Sequence, residues 1–245
     1  MSVAPTIRRV AETGSTNADL LSLLSAGDTA HEGEWLVADR QVAGRGRQGR
    51  DWFDGKGNFM GSTVVRLSPA GPAASTLSFV AALALYEAVL PHMASPSALT
   101  LKWPNDLLLD GGKLAGILLE RAGNAIVAGF GVNLAAAPSL PDRPTRALSD
   151  IGPAPDRELF ADSLARSFAT ELERWRSFGP DPILRRWQAA AHPVGTPLSV
   201  SPPGEGGISG HYAGLEPDGA LRLRLADGTI RAIHAGDVML ATGDR

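Results

Sequence analysis

Lys102-Trp103-Pro104-Asn105-Asp106-Leu107-Leu108-Leu109-Asp110-Gly111-Gly112-Lys113-Leu114-Ala115-Gly116-Ile117-Leu118-Leu119-Glu120 is punctuated by Pro104 and by Asp110-Gly111-Gly112. The apolar runs 107–109 and 114–119 therefore read as two strands joined by a tight hairpin, with Lys113 beside the turn. Gly112-Lys113 is not a phosphate-binding P-loop, because that motif needs glycine at 107 and Ser or Thr at 114, where this chain has leucines. Lysine usage marks the segment further. Of 23 basic residues only Lys56, Lys102 and Lys113 are lysines, and two of them fall here. A compact ammonium acting as a point charge is a different tool from the planar guanidinium used elsewhere in the chain.

Upstream, Asp39-Arg40-Gln41-Val42-Ala43-Gly44-Arg45-Gly46-Arg47-Gln48-Gly49-Arg50 concentrates arginine and glycine in a slightly acidic protein of net charge −3. Glycines let the backbone turn and approach a ligand, and guanidinium groups donate to phosphate or carboxylate oxygens. The spacing Gly44-x-Gly46-x-x-Gly49 imitates a dinucleotide-binding turn. That motif requires a helix directly behind it, whereas Arg50-Asp-Trp-Phe-Asp-Gly-Lys-Gly57 is turn chemistry. Two readings of the loop remain from its residues alone: an anion cradle, or a solvated basic surface that tracks nucleic-acid phosphates.

In order and spacing, Gly14-Ser15-Thr16-Asn17, Gln41 to Arg50, Lys102 to Glu120 and Gly129-Phe-Gly-Val-Asn133 together resemble the biotin protein ligases. The resemblance implies an ATP-dependent enzyme that converts biotin to biotinyl-5′-AMP, releases pyrophosphate, and transfers biotin to a lysine of a carboxylase's biotin carboxyl carrier domain. Magnesium would arrive mainly on ATP, with no metal ligands assigned. It also implies an α+β fold, in which a mixed-sheet catalytic domain over residues 1–192 precedes an SH3-like β-barrel over 193–245.

By the same resemblance, Ser15, Thr16 and Gln41 would hydrogen-bond the ureido head of biotin. Asn17, Gly44, Gly46 and Gly116 would complete the biotin-binding set. Arg45 and Arg47 would contact the biotin carboxylate and the adenylate phosphate, and Lys113 would be the main catalytic cation. Catalysis is assigned to Lys113, Arg45 and Asp106. Trp52, Lys102, Asn105, Asp106 and Asn133 would line the ATP and adenylate end with Arg47. The residues themselves allow other roles. Ser15 and Thr16 can equally cap a helix, since Thr16-Asn-Ala-Asp19 matches a capping box, and the two roles are compatible. Asn105-Asp106 after a proline matches a turn. Some relatives cover the adenine ring with an aromatic residue after Gly-Val-Asn, but Leu134 to Asp150 contains none.

The remaining chain fits an enzyme of this kind. With 245 residues, 44% of them hydrophobic, it can bury a substantial core. No run approaches the roughly 18 to 20 uninterrupted apolar residues of a membrane span. The N-terminus lacks a secretory pattern and there are no cysteines, so the expected compartment is the cytoplasm. Only about a dozen residues precede the Ser-Thr-Asn turn, too few for a winged helix, so no specific DNA binding is expected. The expected assembly is a monomer or homodimer.

Ser75 to Leu90 reads as a buried helix, 135–155 as a proline-rich connection, Asp156 to Phe178 as an amphipathic helix closed by Pro180, and Ile183 to Ala191 as a shorter one. Beyond Val194, alternating runs such as 221–225 and 229–233 read as short strands, with Arg222, Arg224 and Arg231 on their solvent face. The rival readings are a lipoate-protein ligase, which also forms an acyl-adenylate, and a nucleic-acid-binding protein using Arg40 to Arg50. A thioester-using transferase of the same fold is excluded by the missing cysteine.

Overall fold

The computed structural model describes residues 5–27, 30–141, 143–204 and 206–240. The first part of the chain forms β1 (Thr6–Thr13), α1 (Thr16–Ser25), β2 (Glu34–Gln41), β3 (Phe59–Arg66), α2 (Leu77–Val89), β4 (Leu99–Lys102), β5 (Asp106–Leu109), β6 (Gly112–Ala122) and β7 (Ala125–Val132). Helices α3 (Arg157–Phe178) and α4 (Pro180–Ala189) follow. The strands β8 (Pro197–Ser201), β9 (Ile208–Leu215), β10 (Leu221–Arg224), β11 (Ile230–Ile233) and β12 (Asp237–Leu240) end the described chain.

The first seven strands make one mixed sheet in the order β1-β2-β3-β7-β6-β5-β4, parallel between β1 and β2 and antiparallel elsewhere. The last five make a separate antiparallel sheet, β11-β10-β9-β8-β12. The chain is thus α+β with a small β unit behind it, as expected.

The large sheet has two unlike faces because side chains alternate along each strand. Trp35, Phe59, Ile117, Ala128, Phe130 and Val132 point to one face and join the main core under α2, α3 and α4. Trp35 packs its ring against Phe59, Phe130 and Phe168 there. On the opposite face a smaller cluster of Leu20, Leu36, Val64 and Val127 seats α1. Only part of that second face is covered by a helix, and the remainder is open to form a site.

Helix α2 is apolar nearly all round because it is enclosed, and Leu77, Val80, Ala84 and Ala88 have no exposure. Ala74–His92 has the length and, over an 18-residue window, the mean hydropathy (1.5) of a membrane span, although Ser75, Thr76, Ser78 and Glu87 interrupt its apolar residues. Here it forms the centre of the core. Its helix proper is Leu77–Val89, with 3-10 turns at either end replacing the expected Ser75 and Leu90 limits.

Other boundaries shift for identifiable reasons. The hairpin turn is Asp110-Gly111 alone, both at positive φ (46° and 76°), as a two-residue primed turn demands. Gly112 and Lys113 consequently belong to β6. Gly179, at φ 75°, ends α3, while Pro180 opens α4 at the position where a missing N–H costs nothing. Asp156 caps α3 through its carboxylate to the N–H groups of Glu158 and Leu159. Trp103 Nε1 ties the large sheet to the small one by donating to the Gly219 carbonyl at 3.1 Å. Phe79 lies over Gly219 where any side chain would collide with its ring.

Tyr212 on β9 is 4% exposed, and its hydroxyl has no hydrogen-bond partner among the described residues. Burial pushes its phenol up from 10.0 to about 12. A raised folded-state value contributes stability that is present below the unfolded value, near pH 10, and lost as pH climbs toward 12. Tyr212→Phe should leave stability at neutral pH unchanged or higher by up to about 1 kcal/mol and flatten that alkaline loss. Urea unfolding from pH 7 to 11.5 checks this; an unaltered alkaline slope would refute the account.

Candidate active site

Strand register builds the floor of the site. Ser62 on β3 pairs with Gly129 on β7, which pairs with Leu118 on β6. One step along, Met60 pairs with Gly131, Gly131 with Gly116, and Gly116 with Asp106 on β5. Three glycines thus lie side by side on the uncovered part of the sheet face, Gly129 buried and Gly116 and Gly131 half-buried, and neighbouring groups fill the space of their missing side chains. A Cβ at 129 would fall on the Asn17 amide, one at 131 would fall inside the Trp52 indole, and one at 116 would come within 3.1 Å of both Trp52 and Lys113 Nζ. Above this floor is a cavity of about 700 Å³.

One end of the cavity is neutral and hydrogen-bonded. Gln41 Oε1 accepts from the Thr16 N–H at 2.7 Å and lies 3.0 Å from Thr16 Oγ1. Thr16 Oγ1 is 2.6 Å from Ser62 Oγ, Ser62 donates to Asn17 Oδ1 at 2.6 Å, and Asn17 Nδ2 donates to Glu120 Oε2 at 2.7 Å. Thr16, Asn17 and Ser62 are all buried. The N-cap of α1 is Ser15, whose hydroxyl faces the Ala18 N–H at 3.5 Å. The capping box expected on Thr16 therefore does not form. Asp19 instead accepts from Thr13 Oγ1 at 2.5 Å, which leaves the Thr16 hydroxyl to the cavity cluster.

The other end is cationic. Lys113 Nζ lies 2.7 Å from Asp106 Oδ1 and 5.7 Å from the centre of the Trp52 ring. The 2.7 Å contact is an ion pair outside hydrogen-bonding geometry, so Oδ1 is buried without a directed donor. The backbone of Lys113 is held by Pro144 and Arg146 of the following connection. Arg47 donates to Asn105 Oδ1 and to the Gly236 carbonyl, each at 3.2 Å, and Asn105 in turn donates to the Ile117 carbonyl at 2.6 Å. Burial lowers the Arg47 pKa, with Asp237 and Asp106 opposing the shift. Lys102 is lowered in the same way, by burial first, opposed by Asp106 and reinforced by Lys113.

All the sequence-assigned residues line this one cavity except Gly44. Gly44 lies beneath it, with the Gln41 amide 3.1 Å from where its Cβ would be. Of the four loop arginines, Arg45, Arg47 and Arg50 line the cavity, while Arg40 is held by Glu12 and Asp54. The loop therefore turns three of its arginines to the cavity, Arg47 half-buried and Arg45 and Arg50 with their outer surface in solvent. Asn133 is buried, and its amide donates to the carbonyls of Lys113 and Arg146. It fastens the cationic end to the connection that follows.

Sequence reasoning missed Ser62, which sits in an unremarkable strand. It also missed the contribution of the small sheet, because Ser201, Asp237, Val238 and Met239 complete the cavity wall. Arg50 Nη2 meets Asp237 at 2.9 Å across that junction. In the aromatic-free connection, Pro138 and Leu140 supply apolar surface beside Arg143.

A cavity with a neutral hydrogen-bonding head and a cationic tail suits a ligand that joins a polar, uncharged ring to an anionic group. The chain matches the model of the biotin/lipoate A/B protein ligase family over residues 11–135 and that of the biotin protein ligase C-terminal domain over residues 204–240. It is 41% identical over 226 residues to a biotin--[acetyl-CoA-carboxylase] ligase of Paracoccus denitrificans, covering 88% of this chain and 92% of that one. It is 38% identical over 234 residues to the ligase of the same name in Mycobacterium tuberculosis, covering 94% and 87%. Among solved structures, the biotin protein ligase of Aquifex aeolicus in complex with biotin and ATP shares its fold, with a TM-score of 0.82 at 24% identity over 96% of this chain and 97% of that one. This chain belongs to the biotin/lipoate A/B protein ligase family.

The glycine floor is testable. Gly131→Ala should displace Trp52 and cost about 1–3 kcal/mol. Gly152→Ala, which meets open space, should stay within about 0.5 kcal/mol. Equal urea midpoints for the two variants would show that the indole does not need the gap.

Proposed function

We propose that this chain is a biotin–carboxyl-carrier-protein ligase. It activates biotin with ATP to biotinyl-5′-AMP, releasing pyrophosphate, and passes the biotinyl group to a lysine of a carboxylase's carrier domain. The observation that carries the reading is the division of a single cavity between the Thr16–Gln41–Ser62–Asn17 cluster and the Lys113–Asp106–Arg47 group. A ureido ring carries N–H donors and a carbonyl acceptor for the first, and the acid and phosphate oxygens meet the second. The relatives named for biotin ligation cover nearly the whole chain.

Activation brings two anions together, the biotin carboxylate and the α-phosphate of ATP. Fixed cations lower that repulsion and stabilise charge on the phosphoryl oxygens as pyrophosphate leaves. Lys113 sits between the floor glycine Gly116 and Asp106, where its ammonium reaches both acid and phosphate oxygens. Arg45 and Arg47 flank it from the loop. Among the described residues no group of three or more His, Cys, Asp or Glu side chains converges to hold a metal. Magnesium would arrive on the phosphates of ATP and offset their charge, and Asp51, Asp106 and Asp237 are the carboxylates that line the cavity.

In the transfer step the incoming lysine amine attacks the biotinyl carbonyl and AMP leaves. Asp106, already able to hold an ammonium at 2.7 Å, is placed to orient that amine. Trp52, Pro138 and Leu140, which line the cavity, are placed to exclude water from the mixed anhydride.

Biotin-dependent exchange of labelled pyrophosphate into ATP isolates the first half-reaction. Exchange should occur with biotin and fall by about 10²–10³-fold in Lys113→Ala, the range for removing a cation or donor at a developing charge. Exchange with lipoate in place of biotin would move the substrate while keeping the chemistry. No exchange with either acid would overturn the reading.

A further inference from the structure

The hydrogen bonds at the neutral end of the cavity have a direction, and one carboxylate outside the cavity wall sets it. Asn17 Nδ2 lies 2.7 Å from Glu120 Oε2 and 3.3 Å from the Leu118 carbonyl oxygen. Both of these atoms accept, so the atom between them must be the donor end of the amide, and Oδ1 must face Ser62. Ser62 Oγ, 2.6 Å from that carbonyl oxygen, has one proton, and it goes to Asn17. Thr16 Oγ1 has one proton for two acceptors, Ser62 Oγ at 2.6 Å and Gln41 Oε1 at 3.0 Å. Since the Ser62 proton is committed and the Thr16 N–H already serves Gln41, the proton goes to the shorter contact, Ser62. Gln41 faces Thr16 with its carbonyl, because the Thr16 backbone N–H lies 2.7 Å away, and its Nε2 points elsewhere. The relay thus runs one way, from Thr16 to Ser62 to Asn17 to Glu120. It leaves lone pairs of Thr16 Oγ1 and Gln41 Oε1 as the acceptors at this end.

We propose that Glu120 is a positioning residue for ligand specificity. Through Asn17, Ser62 and Thr16 it fixes this end of the cavity as hydrogen-bond accepting, the polarity that receives the N–H groups of a cyclic urea. Thr16, Asn17 and Ser62 are 3%, 5% and 0% exposed, so water cannot freely correct a wrong polarity. An acid with an apolar tail would bury these acceptors unpaired, which is the strongest form of discrimination a small pocket has. Gly129 serves the same device, since only a residue without a side chain leaves room for the Asn17 amide. The inference rests on the biotin-ligase reading and extends it to residues that touch no ligand.

The test is calorimetric biotin binding together with steady-state KM values for biotin and ATP, on the full chain. In Glu120→Lys an ammonium donor replaces the acceptor, so Asn17 turns its carbonyl outward and its Nδ2 toward Ser62, reversing the relay. Biotin affinity should fall by about 10- to 100-fold, with the KM for ATP changed less than about threefold. Glu120→Gln, whose amide carbonyl still accepts from Asn17, should recover all but about threefold of the loss. Ser62→Ala removes the relay proton and should weaken biotin by about 10-fold, with little further loss when combined with Glu120→Lys. Thermal melts identify any variant that does not fold, in which case Ser62→Ala decides. Variants that bind biotin as wild type does, or that lose biotin and ATP affinity equally, overturn the inference alone. A wild-type chain that binds no biotin overturns the ligase reading and this inference with it.

Discussion

A strand in the middle of a sheet ordinarily fills both faces with side chains along its whole length, and here β7 does so only as far as Val127. Gly129 and Gly131 leave the rest of the second face bare, and Gly116 extends the gap onto β6. Everything in the site depends on that gap. The Asn17 amide and the Trp52 indole descend onto backbone, and Lys113 Nζ can lie across the sheet toward Asp106. The main core, on the opposite face, carries the burial that holds the sheet together. The bare face can therefore be polar without leaving the fold short of apolar contact.

The cavity then separates two kinds of electrostatics. At the cationic end burial opposes the charge of Arg47 and Lys102, and Asp106 and Asp237 offset part of that cost. Such a site holds positive charge under tension until an anion arrives. At the neutral end Glu120, behind Asn17, is the one carboxylate in the hydrogen-bonded cluster, and recognition depends on which atom donates to which.

Much of this was legible in the chain. The hairpin, the α3 register and the strand alternation beyond residue 197 followed from proline, glycine and apolar spacing, because those signals are local. The arginine loop and the Lys102 to Glu120 segment could be assigned to one site by resemblance before any geometry was known. Other features were not legible, for physical reasons. Ser62 sits in a strand where a serine carries no local signal, and its meaning appears only once Gly129 pairs beside it. Thr16 matched a cap as well as a cavity ligand, and only the packing of Ser15 at the helix start separates the two. The part played by Asp237 and Met239 needs the small sheet to be docked, and sequence periodicity says nothing of docking.

That docking has a practical consequence for anyone recombining such chains. The loop that carries the arginines belongs to the first half of the sequence, yet Arg47 ends on the Gly236 carbonyl and Arg50 on Asp237. Swapping the terminal β unit for that of a relative would keep every residue of the chemistry and still hand the loop to a stranger. A chimaera made at the α4–β8 junction inherits a working site only if the donor brings a backbone carbonyl and a carboxylate to the same two places. Matching that pair of contacts, more than overall identity, is the criterion by which exchangeable partners should be chosen.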